Sequence, residues 1–184
     1  MIRHIFCVLS IAFVSGFYFF LNLLDDHLSI DHHRDSFYFD LLPLFVFLAL
    51  TVAAFIGLAA GLFRRPKQPL TLTCCLLVVI GAGTSIWFRH DLISLSDRAF
   101  FWANETSFRE RARASNGAIV LHSRSSINFH KQFIYTGSRP LADGAVSQEE
   151  LNSRAAQFSA IDAACRVDAK HLKDNFYVLS IYCG

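Results

Sequence analysis

Three apolar stretches without a charged side chain, Ile5–Leu24, Leu41–Phe63 and Leu70–Phe88, occupy most of the first half of the chain. They are 20, 23 and 19 residues long. An α-helix needs about 20 apolar residues to cross the ~30 Å hydrocarbon core of a bilayer, so each stretch is long enough to span. The pattern predicts a three-helix membrane domain over residues 1–88, with spans at about 5–24, 41–63 and 70–88. Residues 89–184 are unlike them. With 12 Lys/Arg and 10 Asp/Glu they have the make-up of a small extracytoplasmic α+β domain with its own core. A formal net charge of +2 is too small and too dispersed for a phosphate-binding surface, which argues against a nucleic-acid partner.

The charges beside the spans predict an orientation. Arg64-Arg65-Pro66-Lys67-Gln68-Pro69 joins the second and third stretches, whereas the connector Asp25–Asp40 holds five Asp and one Arg. Cations flanking short loops stay cytoplasmic. The amino terminus and the Arg-rich turn are therefore placed inside, and the carboxy-terminal domain outside, in the periplasm of a Gram-negative host. The first apolar run is longer than a signal-peptide core of about 7–15 residues and has no small-residue cleavage site, so it reads as an uncleaved signal anchor.

Within the spans no ionisable group marks a transport pathway, and polar side chains such as Asn22, Thr51 and Thr84 suit local or interhelical hydrogen bonds. Such helices anchor rather than transport. Ala53, Gly57 and Gly61 recur every four residues, a ridge on which another helix can pack closely, whether the first or third span or a second copy. Pro43 is expected near the first turn of the second span, where proline is tolerated. Tyr38, Trp87 and Trp102 are expected at the membrane interface, where rings with polar tips settle, making lipid a partner.

In residues 89–184 the spacing predicts a helix from Asp97 to about Ser115 and strands at Ala118–His122 and Ile127–Tyr135. Ser147-Gln-Glu-Glu150 forms a capping box before a second helix with Leu151, Ala155, Phe158 and Ile161 on its apolar stripe. Ala164–Leu172 and Phe176–Cys183 read as a hairpin around Lys173-Asp174-Asn175. A turn centred on Asp174 sets Cys165 opposite Cys183, within reach of a disulfide bond in an oxidising compartment. Cys7, Cys74 and Cys75, in the spans, read as small apolar groups.

The chemistry-bearing residues gather in the first outer loop. Three His and four Asp fall within Asp25–Asp35, and His27, Asp31, His32, His33 and Asp35 form a candidate metal set, though their spacing fits no named site. A solvated loop and a loop that responds to pH are the other readings. No nucleophile, P-loop or His-Glu-x-x-His motif is present, so the expectation is a protein that is not an enzyme and carries no cofactor. The expected role is a small bacterial inner-membrane protein whose periplasmic domain binds a protein partner, as an immunity protein binds a membrane- or periplasm-acting toxin. The alternatives are an accessory or assembly subunit of an envelope or secretion complex, and a metal or pH sensor.

Overall fold

A computed structural model of the chain describes residues 2–31, 37–63, 69–115, 117–126, 129–153 and 165–183. They form two compact units, Met1–Asp25 with Phe37–Ser96, and Asp26–Ser36 with Asp97–Gly184. Helices and a five-stranded antiparallel sheet make up the fold.

In the first unit, α1 (Ile2–Ser15) and α2 (Phe17–Asp31) stand where one straight span was expected. Ile5–Ser15 and Phe17–His27 are bent by 76° at Gly16. A sharp kink at a Ser-Gly pair has a local cause, and Ser15-Gly16 supplies it. The helix α3 (Phe37–Phe63) starts four residues before its apolar run, so Pro43 lies in its second turn, beyond the expected first-turn site. The helix α4 (Pro69–Trp87) begins on a proline, whose fixed φ suits the first helical position. The helix α5 (Arg89–Ala114) follows at Phe88. Thr84 Oγ1 donates to the Gly81 carbonyl at 2.9 Å just before this break, a back-bond that bends helices. Among the described residues one helix segment, Leu42–Gly61, is long and apolar enough to cross a membrane, and the number rises to three if each bent pair, at Gly16 and at Phe88, is one span.

Val14, Phe17, Phe47, Ala54, Val78 and Ala82 form the buried core of this unit. Asn22 Nδ2 donates to Ser96 Oγ at 2.8 Å, an interhelical bond of the kind its polarity suggested. Gly57 and Gly61 face α4, since a Cβ on Gly57 would stand 2.8 Å from Cys75 Sγ and one on Gly61 2.6 Å from a Leu72 methyl. Ala53 is exposed. Gly57→Ala is therefore expected to lower the unfolding free energy of the detergent-solubilised chain by about 1 kcal/mol. Adding Cys75→Ala should recover most of that loss.

In the second unit the strands are β1 (Ile119–Ser126), β2 (Phe129–Tyr135), β3 (Gly144–Val146), β4 (Arg166–Lys173) and β5 (Phe176–Tyr182). Their order in the sheet is β1-β2-β5-β4-β3, and all neighbours are antiparallel. Phe176 to Leu179 are all buried, so central β5 is covered on both faces. Ile134, Tyr177, Leu179 and Ile181 pack with Leu141, Val146 and Leu151 on one face. On the other, Phe100, Phe101 and Phe108 of α5 meet Phe133 and Phe176, with centroids 5.0 Å apart for Phe100–Phe133 and 5.1 Å for Phe101–Phe176. The helix α6 (Gln148–Asn152) starts where the capping box set it, with Ser147 Oγ accepting from the Glu150 amide at 3.2 Å. Ala155, Phe158 and Ile161 lie outside the described residues.

The β4–β5 turn shows how the cysteines come together. Lys173 pairs with Phe176 across a two-residue turn, Asp174-Asn175, with Asp174 at φ 51°. That register alone would be one residue off from setting Cys165 against Cys183. The irregularity between His171 and Lys173 takes up one residue and restores the alignment, so that Arg166 faces Tyr182. Cys165 and Cys183 then stand at disulfide distance, with Cα atoms 4.3 Å apart.

Candidate functional site

Alternation along β2 places Phe133 and Lys131 on the face that α5 covers. A lysine among aromatic neighbours has to find a counter-charge there. The register sets it opposite another cation, since Arg124 of β1 pairs with Lys131, and like charges directly opposed destabilise a sheet. Asp26 answers both. Its Oδ2 accepts from Lys131 Nζ at 2.6 Å and its Oδ1 from Arg124 Nη1 at 3.1 Å. Asp97, on α5, makes a second ion pair with Lys131. Two carboxylates and two cations balance, and Asp26, Asp97 and Lys131 are each at least nine-tenths buried.

Asp25–Asp31, read from the sequence as part of a loop, are helical. The segment is the last part of α2, Asp25 and Asp26 are buried, and Asp26 is an ion-pairing group of the second unit. Asp25-Asp26-His27, in the last part of this helix, reads as solvated only while the partner of Asp26, 105 residues away, is unknown.

Two imidazoles border the cluster. The His27 ring lies against Phe100 with centroids 5.3 Å apart and planes tilted by 56°, and His122 lies 5.1 Å from Phe100 and 5.9 Å from Phe133. Burial, reinforced by the positive charges of Lys131 and Arg124, pushes the His122 pKa down to about 4. His122 is thus neutral in the fold at neutral and mildly acidic pH. The unfolded chain takes up the proton near pH 6.5 and the folded one only near 4, so this contribution to stability is complete above pH 6.5 and is lost as the pH falls from 6.5 to 4. With allowance for the partial exposure of the ring, the loss is on the order of 1–2 kcal/mol. His122→Gln should flatten the stability–pH curve in that window by this amount, as read from denaturant midpoints of the full chain.

Of the candidate metal set, only the ring of His27 is described, and it packs on Phe100. The side chain of Asp31, and His32, His33 and Asp35, lie outside the described residues. No group of three or more metal-ligating side chains occurs among the described residues. Trp87 and Trp102 are exposed, at 83% and 62%, and the side chain of Tyr38 is outside the description. Cys7 and Cys74 depart from the expectation of isolated apolar thiols, because their sulfurs stand at disulfide distance, while Cys75 is free.

Beyond these, Arg109 ties α5 to the β4–β5 turn, bonding Glu105 at 2.8 Å and Asp174 at 2.7 Å, with its guanidinium 5.6 Å from the Phe176 ring centroid. Lys173 joins the same Glu105 at 2.8 Å. The sequence does hold one signal for the buried cluster, the lysine in the alternating set Phe129, Lys131, Phe133, Tyr135. The chain matches no protein-family model, no curated protein and no solved structure.

Proposed function

We propose that this chain is a small bacterial inner-membrane protein that presents its second unit to the periplasm and binds another protein there, in the manner of an immunity protein that blocks a membrane- or periplasm-acting toxin. The observation that carries the reading is the neutralised cluster of Asp26, Asp97, Lys131 and Arg124. Its charged groups form ion pairs with one another inside the unit and so hold α5 and the sheet in one arrangement, which suits a preformed binding surface. The apolar Leu42–Gly61 segment supports anchoring, and the Arg64-Arg65-Pro66-Lys67 connector supports the inside placement of that turn. The Cys165–Cys183 pair suits an oxidising compartment.

The test is co-expression with a toxin encoded beside the gene. Growth rescue together with co-purification of chain and toxin is the expected result. No rescue and no binding would remove the immunity reading.

The accessory-subunit reading has one observation in its favour, an apolar groove of the first unit lined by Phe6, Leu9, Phe13, Val46 and Leu50. A partner helix could seat a side chain in it. Purification in mild detergent separates the two readings, because a stable multi-subunit membrane complex favours the accessory role and a single secreted partner favours immunity.

A further inference from the structure

Cys7 and Cys74 are 67 residues apart in sequence, yet their Cα atoms are 6.0 Å apart, within the span a disulfide bridges. Each is the sixth residue of its helix, α1 starting at Ile2 and α4 at Pro69. The pairing does not depend on the sulfurs alone. Further along the same two helices Gly81 of α4 lies so close to α1 that an added Cβ would collide with Ser15 Oγ, and Val14 shares a buried cluster with Val78 and Ala82. The packing that brings α1 and α4 together therefore also positions the two cysteines. Cys75, the next residue, turns instead toward Gly57 of α3 and remains free.

We propose that Cys7 and Cys74 are a reversible thiol–disulfide couple that staples α1 to α4. The chemistry needs an external partner, a small-molecule disulfide to close it and a small thiol to open it. In closing, one cysteine thiolate attacks the small disulfide, forms a mixed disulfide and expels one thiolate. The second cysteine thiolate then attacks the protein sulfur of that mixed disulfide, forms the Cys7–Cys74 bond and expels the second thiolate. The two protons lost by the cysteines end on the two small thiols, so two cysteines are oxidised as one disulfide is reduced. Opening is the reverse. The side on which the couple lies rests on the orientation proposed above, which sets it at the cytoplasmic end of the helices. Cellular thiols keep cysteines reduced there, so closure would register an oxidising departure from that state.

The full-length chain in open membrane vesicles is treated with dithiodipyridine, alkylated with iodoacetamide, digested and analysed by mass spectrometry. The expected result is a Cys7 peptide joined through Cys74 to the peptide that carries Cys74 and Cys75, with Cys75 outside the bond, either capped by one thiopyridine or alkylated. Dithiothreitol should then return both Cys7 and Cys74 to the alkylated pool, and renewed oxidation should remove them again. Cys75→Ser should leave the cross-link intact, and Cys7→Ser should leave Cys74 without a cross-link, capped by one thiopyridine that dithiothreitol removes. Separate capping by thiopyridine, or alkylation, of both Cys7 and Cys74 after oxidation would overturn the proposal, as would a bond from either to Cys75 or to a second copy. Orientation is read separately in sealed right-side-out vesicles with a membrane-impermeant phosphine, which should open Cys165–Cys183 and spare Cys7–Cys74. If both open, the orientation fails while the cycling result still decides the staple.

Discussion

Lys131→Met is expected to lower the unfolding free energy of the chain by about 3–5 kcal/mol, the usual cost of leaving a buried charge without its partner. Lys131 is the hub of the cluster, bonded to Asp26 at 2.6 Å and paired with Asp97, and it is 2% exposed. Its removal takes a cation away from two buried carboxylates, Asp97 and Asp26, the latter keeping Arg124 at 3.1 Å. A loss of this size separates the ion cluster from simple loss of packing, because methionine fills much of the same volume. The further change Asp97→Asn in the Lys131→Met background should recover part of the stability, since it removes one of the two buried negative charges that lost Lys131 while keeping the shape. Denaturant unfolding of the full chain in detergent, followed by the signal of its buried aromatic residues, checks both. A Lys131→Met chain within 1 kcal/mol of the parent would mean that the cluster is solvated and does not hold the unit together.

The same residues show where sequence reading stops. Apolar runs, turn chemistry and caps are local, and they located four of the five strands, the Ser147 cap and the apolar segments directly from neighbouring residues. The third strand, Gly144–Val146, is three residues long and exists through its pairing with Ala169, Asp168 and Val167, so no periodicity could announce it. The bends are a different case. Ser15-Gly16 is visible in the sequence, but uniform apolarity on both sides reads as one span, and only the changed helix direction divides it. The ion cluster is harder still, because Asp26, Asp97, Arg124 and Lys131 come from four elements. An aspartate beside Asp25 and His27 looks solvated, and an isolated lysine in an aromatic strand hints at a partner without naming it. Pairing at long range is a property of the folded chain, and local composition carries little of it.

Where local chemistry and long-range register must agree, the hairpin at Asp174 provides a second test with a large effect. The turn residues announce a hairpin, but the opposition of Cys165 and Cys183 depends on an irregularity between His171 and Lys173 that turn chemistry does not specify. Cys165→Ser is expected to lower stability by about 3 kcal/mol under oxidising conditions, the chain-entropy value for a closed loop of this size given a sequence separation of 18. Much of the benefit comes from restricting the unfolded chain, so the difference between parent and variant should vanish once a thiol reductant opens the bond in the parent. Cys183→Ser should give the same loss, and the double variant should lose no more than either single one, because both remove one bond. A double variant that loses twice as much would show that the two cysteines contribute separately, through their packing against the core of Val167, Leu179 and Ile181, and not through a shared bond.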